Sequence, residues 1–153
     1  MILRTVCDIL FPYYPKEEKA LKELENAREF FSKDLYATEA TGIVIEEVGE
    51  KYAKCSLKLE RKHLNAVGHP MGGVMFTLAD FVFAVCTNRN GQITVTTSST
   101  INYLSSPKGD TLYGESRLLK DGRTTCFYEI TVYDNLGNTV AVINTTGNHI
   151  QQK

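Results

Sequence analysis

The sequence predicts an α+β fold in which one antiparallel sheet packs on a single long helix. Two observations lead there. The stretch Gly72–Thr87 (GGVMFTLADFVFAVCT) is apolar almost throughout and carries one charge, Asp80, as expected of a helix buried on all sides. From Gln92 onward the texture changes to β-branched runs separated by short turns, and such connections favour antiparallel pairing. The predicted order is helix, two strands, buried helix, then four strands.

Each element has its own local reason. Pro15 followed by Glu17 and Glu18 reads as a helix start, with proline in the first turn and acids at the positive end of the dipole. Ala20, Leu24, Ala27 and Phe31 then form one apolar stripe, and Lys33 lies near the expected end of a helix over 15–34. Thr41–Val48 and Tyr52–Leu59 read as strands around a turn containing Gly49. The segment His63–Met71 is polar and irregular, and Gly72-Gly73 opens the central helix. In the β-rich half, Asp121-Gly122 suits a type I′ hairpin and Asp134–Asn138 (DNLGN) a further turn.

The chain of 153 residues forms one domain, 1–153, with an extension over 1–14 and a core over 41–149. A formal net charge of −1 argues against nucleic-acid binding, and no helix-turn-helix segment with a basic face is found. Cys7, Cys55, Cys86 and Cys126 make no CxxC pair, which points to neither zinc nor a disulfide framework. The N-terminus lacks the features of a signal peptide, and Gly72–Thr87 is too short to span a bilayer. A reduced, cytoplasmic protein without membrane attachment is the expectation.

Asp80 is the residue that most needs an explanation. A carboxylate within an apolar helix loses hydration, so it requires a partner, for example Thr77 one turn back, or a raised pKa. Perturbed carboxylates also collect at active sites. Gly72 and Gly73 at a helix start leave amides free to hold a developing oxyanion, or simply permit a tight turn. Asn65 can bond a water or a substrate carbonyl, or brace its own loop. His69 precedes Pro70 in that loop, His63 is expected to face solvent, and His149 carries no signal. No spacing suggests a covalent triad or a metal site. Asp80 lies eight residues beyond Gly72, about 12 Å along a helix. If both serve one carbonyl, they must come from two chains, so the spacing argues for a dimer with shared sites.

The segment His63–Asp80 (HLNAVGHPMGGVMFTLAD) resembles the signature of the hotdog-fold thioesterases, in the PaaI-like and acyl-CoA thioesterase 13-like group; Ile101–Leu112 (INYLSSPKGDTL) resembles their next block. The resemblance implies a sheet wrapped round one helix, edge-to-edge homodimers, and in many members homotetramers. It also implies hydrolysis of an acyl-CoA thioester with no metal or cofactor. On that reading Asp80 is general base or, less simply, nucleophile. Asn65 of the partner positions water or carbonyl, the Gly72 amide holds the oxyanion, and Thr96 orients water. Gly73, His69 and Met71 line the substrate.

One position departs from the pattern. Met71 stands where many members carry histidine, and a thioether is a poor hydrogen-bond acceptor. His69 compensates, the histidine is dispensable, or the chemistry is weakened. Two alternatives therefore stand beside the thioesterase: a non-catalytic acyl-CoA-binding or sensing protein, and a hydratase or dehydratase. Arg61, Lys62, Lys108, Lys120 and Arg123 are candidate cations for CoA phosphates, each equally an ordinary turn cation.

Overall fold

The computed structural model describes residues 14–150, so the extension 1–14, except Tyr14, and Cys7 fall outside the described residues. Helix α1 (Tyr14–Phe31) leads through a π-helical turn (Tyr36–Thr41) to strands β1 (Ile43–Gly49) and β2 (Tyr52–Lys58). A 3₁₀ turn (Arg61–His63) and an irregular loop precede the central helix α2 (Gly72–Thr87). Strands β3 (Ile93–Tyr103), β4 (Thr111–Asp121), β5 (Thr125–Asp134) and β6 (Thr139–Ile150) complete one six-stranded antiparallel sheet in the order β1-β2-β4-β5-β6-β3. The α+β class is as expected.

The sheet curls round α2, which touches all six strands. Leu78, Ala79, Val82, Phe83 and Val85 are fully buried against the inward-facing Leu57, Leu112, Ile130 and Ile143. Close approach demands small partners: a side chain at Gly147 of β6 would meet the Phe83 ring at 2.5 Å. The helix is not buried all round, however. Asp80 and Gly73 are exposed, while Thr77 and Ala84 are half-buried. The spacing of four, three and four residues makes these positions a continuous strip along one face of the helix.

The N-terminal helix ends sooner than expected. Ser32 Oγ donates to the Glu29 carbonyl (2.7 Å), and Lys33 falls beyond the last turn. The stripe is buried at Ala27 and Phe31, half-buried at Leu24 and exposed at Ala20, so only the C-terminal half docks. Phe31 meets Phe81 of α2 edge to face at 5.7 Å, and Arg28 donates through Nε and Nη2 to the Ile45 carbonyl of β1 (2.9 and 2.6 Å).

Two turn expectations change. Asp121 is the last residue of β4, and Gly122 does not adopt the positive φ a type I′ turn requires. The strands are instead joined by residues 122–124, with the Gly122 amide donating to the Thr125 carbonyl (2.8 Å). Asp121 is held by Lys51 (2.7 Å) and His149 (2.9 Å), which removes it from the turn. In the DNLGN turn Gly137 does take positive φ, +83°.

Candidate active site

The loop before α2 is built by Asn65 and His63. Asn65 Oδ1 accepts from the amides of Val67 (3.0 Å) and His69 (3.1 Å), while its own amide donates to the His69 carbonyl (2.7 Å). With its side-chain oxygen occupied by the loop, Asn65 can offer outward only its Nδ2 donor. His63 does not face solvent. It is buried, its Nδ1 accepts the Glu60 amide (2.9 Å), and its protonated Nε2 donates to the Thr41 carbonyl (2.8 Å). It ties the loop to the π-helical turn.

Chain direction then delivers the helix amides. The Met71 amide donates to the His63 carbonyl (2.9 Å), which sets Met71 as the extended N-cap of α2. Val74 donates back to the Met71 carbonyl (3.0 Å). The amides of Gly72 and Gly73 are left without a partner among the described residues, as a helix N-terminus leaves them. Gly72 is also closely approached: a Cβ there would meet the Tyr103 hydroxyl at 2.7 Å, so the exposed Tyr103 ring would have to shift. Met71 is half-exposed beside them, and His69 contributes only backbone bonds to the loop.

Asp80 lies further along the same outward strip. Its partner is Thr96 of β3, whose Oγ1 donates to Oδ1 at 3.4 Å, the long end of hydrogen bonding. Thr77 is not that partner, because it donates to the Gly73 carbonyl (2.9 Å). Loss of water around the carboxyl pushes Asp80 above the usual carboxylate range, and the Thr96 hydroxyl pulls weakly the other way. Thr96 borders a register shift between Thr96 and Ser98, where β3 holds one residue more than β6. Such a bulge re-aims side chains and breaks strict alternation.

Two cavities flank the strip. One of about 340 Å³ is bordered by Asp80 and by Asp34–Ala37; the other, about 220 Å³, is bordered by Met71, Gly73 and Lys62. A larger cavity of about 370 Å³ lies between α1 and residues 88–93 and contains none of the predicted site residues. We place the site in the smaller pair because the perturbed carboxyl and Gly73 of the helix start border them. The structure thus joins Asp80 with Thr96, and groups Asn65, His69, Met71, Gly72 and Gly73 separately at the helix start.

His149, without signal in the sequence, is well connected: Nδ1 pairs with Thr94 Oγ1 (2.9 Å) and Nε2 with Asp121 Oδ1 (2.9 Å). Asp121, Cys126 and His149 also place potential metal-ligand atoms within 4.8 Å of one another, a grouping the sequence spacing concealed. The bonds to Thr94 and Lys51 make it a brace between strand ends. Its residues lie outside the Asp80 groove.

The sequence model of the thioesterase superfamily matches residues 67–141. The acyl-coenzyme A thioesterase PaaI of Escherichia coli (strain K12) is 31% identical over 79% of this chain and 86% of its own length. Human acyl-coenzyme A thioesterase 13 is 30% identical over 73% of this chain and 76% of its own. The solved structure of the E. coli PaaI protein, from the phenylacetic acid degradation operon, superposes with a TM-score of 0.78 at 26% identity, covering 86% of this chain and 96% of that one. A hypothetical thioesterase protein of Streptococcus pneumoniae TIGR4, solved with coenzyme A, gives 0.72 at 25% identity over 80% of this chain and 98% of that one. Other structures of that streptococcal protein carry an Asp→Ala and a Thr→Ala substitution sixteen positions apart, the same separation as Asp80 and Thr96 here. From the fold and these matches, the chain belongs to the thioesterase superfamily of hotdog-fold proteins, alongside PaaI and acyl-coenzyme A thioesterase 13.

Proposed function

We propose that the protein hydrolyses an acyl-CoA thioester to free acid and CoA in a site shared between two subunits, without metal or cofactor. The observation that carries this is Asp80: a carboxyl raised above its ordinary range by burial, bonded to Thr96, in a groove alongside helix amides without a partner among the described residues. Raising the pKa of a carboxylate makes it a stronger base for accepting a proton from water. Asp80 takes a proton from water as the water oxygen bonds to the thioester carbon. The C–S bond then breaks, and the proton passes from Asp80 to the leaving thiolate.

The other half of the site is the start of α2 in the partner subunit. There the Asn65 Nδ2 and Gly72 N–H donate to the carbonyl oxygen as it becomes negative, which is worth most in a water-poor site. The separation of about 12 Å between Gly72 and Asp80 along one helix supports this division. So does β3, an edge strand in this sheet order with Ile93, Val95 and Tyr103 exposed along it. An unpaired edge of that length favours continuation by a second copy. Arg61 and Lys62 beside the loop suit the CoA phosphates. The buried thiols Cys55, Cys86 and Cys126 fit a reducing compartment, which we take to be the cytoplasm, and among the described residues no helix is long and apolar enough to cross a membrane.

The test is release of free thiol from a panel of acyl-CoAs by the wild type, Asp80→Asn and Asn65→Ala. Both variants should be nearly inactive alone, and mixing them through subunit exchange should restore part of the activity, because each mixed dimer regains one intact site. Failure of the mixture to recover while subunits demonstrably exchange would overturn the shared site. Tight acyl-CoA binding with no thiol released would make the protein a binding module.

A further inference from the structure

We infer that Leu35 and the π-helical turn Tyr36–Thr41 form the wall that selects the acyl group, favouring an apolar chain longer than acetyl and rejecting one that ends in a carboxylate. This rests on the acyl-CoA reading and names the substrate class for that site. The two cavities beside α2 share Tyr36 and Thr77, so they are compartments of one groove along the outward strip of the helix. Met71, Gly73 and Lys62 border one compartment, and Asp80 borders the other. In the shared site the thioester carbon lies at Asp80 with its oxygen toward the partner's helix start, so the acyl tail enters the compartment that Asp80 itself borders. That space is walled by Leu35, Tyr36, Ala37, Phe81 and Ala84.

The wall is exposed yet firmly held. Leu35 is 54% and Tyr36 72% exposed, unusual for large apolar side chains with a site beside them. Their backbone is fixed from below. The amides of Ala37 and Thr38 both donate to the Asp34 carbonyl (3.0 and 2.9 Å), and Thr41 Oγ1 donates to the Tyr36 carbonyl (2.8 Å). The Thr41 carbonyl in turn accepts from buried His63, and Gly42 closes the turn at φ +84°. Single π-helical turns are rare and concentrate at functional sites. Here the turn presents two side chains over the groove while Ala37 anchors in the core. Contact with an apolar tail would remove Leu35 and Tyr36 from water, a gain that grows with tail length.

Charge sets the second preference. The acyl compartment is bordered by two carboxylates, Asp34 and Asp80, and by no cation. A neutral tail meets no penalty there, whereas a terminal carboxylate would be drawn into like charge with partial loss of water.

The experiment compares acetyl-, hexanoyl- and adipoyl-CoA with the wild type, Leu35→Ala, Tyr36→Ala and Asp34→Asn. Wild-type kcat/KM should be highest for hexanoyl-CoA. Removing either wall side chain should lower the hexanoyl-to-acetyl ratio about tenfold, the scale of a few methylenes losing their pocket. Asp34→Asn should raise the adipoyl-to-hexanoyl ratio by a similar factor. Equal changes for acetyl and hexanoyl, or an unmoved adipoyl ratio, overturn the assignment. Calorimetry with non-hydrolysable 2-oxopropyl- and 2-oxoheptyl-CoA thioethers separates this from the hydrolase reading. Length-selective binding lost in Leu35→Ala, with no thiol release from any ester, upholds the wall and overturns hydrolysis. Hydrolysis with an unaltered length preference does the reverse, and neither binding nor hydrolysis overturns both.

Discussion

Asp80 and Asp134 are the same residue type in opposite circumstances. Asp134, at the end of β5, is buried and surrounded by donors. Its Oδ2 accepts from the Lys108 and Gly109 amides (2.8 and 3.1 Å), and its Oδ1 from those of Leu136 and Asn138 (3.0 and 2.9 Å). Asn138 Nδ2 adds a further bond. Burial alone would raise this carboxyl, but those amide donors outweigh it and hold it well below the usual range. Asp80 is more open and has a single long bond, yet its carboxyl is raised. Burial pushes both carboxyls upward, and the number of donors aimed at each decides whether that rise survives. Asp134 locks two turns together; Asp80 is left able to take a proton.

The same substitution at both positions sharpens the contrast. Asp80→Asn should cut kcat by about 10²–10⁴-fold, the usual contribution of a positioned base. Its melting temperature should hold or rise by about a degree, because an ionised carboxylate with too few donors opposes folding. Asp134→Asn should do the opposite: an amide NH2 now meets backbone donors, and the melting midpoint falls by on the order of 10 °C while activity per folded molecule persists. Calorimetry and a thiol assay on the two variants check both. Loss of stability in the first and of turnover in the second would break the distinction.

pH separates the two groups next. As the proposed general base, Asp80 must be ionised to act, so kcat/KM should fall with a one-proton acid limb above the ordinary aspartate value of about 3.9. The sign for stability is reversed at this site: the neutral form is favoured on folding, a contribution present at low pH and lost as pH rises through the folded value. For Asp134 the folded value is depressed, so its contribution is present above the unfolded value and lost as pH falls through the folded one. Activity should thus fail at a higher pH than the fold, as pH profiles of rate and of ellipticity will show. The smallest effect is expected of Thr96→Ala. Losing one long hydrogen bond should cost a few-fold in kcat and move the acid limb upward, since the hydroxyl favours the ionised form.

Much of this was legible in the residue pattern. The apolar run from Gly72 to Thr87 is helical to the residue, and the β-rich half forms the strands its alternation implies. Asp80, Asn65 and Gly72 stood out because a charge in an apolar run and a glycine pair at a helix start are local anomalies. The polar neighbourhood of His63 suggests exposure, yet the residue is buried because its partner, the Thr41 carbonyl, comes from 22 residues away. The π-helical turn left no local mark, since residues 35–41 show neither periodicity nor turn chemistry. Asp121-Gly122 illustrates the converse: a favourable dipeptide for a tight hairpin was overridden when Lys51 and His149 captured the aspartate.

By itself, then, the amino-acid order determined element types, the central helix and the family motif, because these depend on dihedral preference and hydrophobic period over a few neighbouring residues. Only the tertiary structure decided which carboxylate is satisfied and which is poised, which face of α2 stays open, and what walls the groove beside it. Those outcomes depend on donors and apolar surfaces delivered from distant parts of the chain, and short-range spacing carries no information about that delivery.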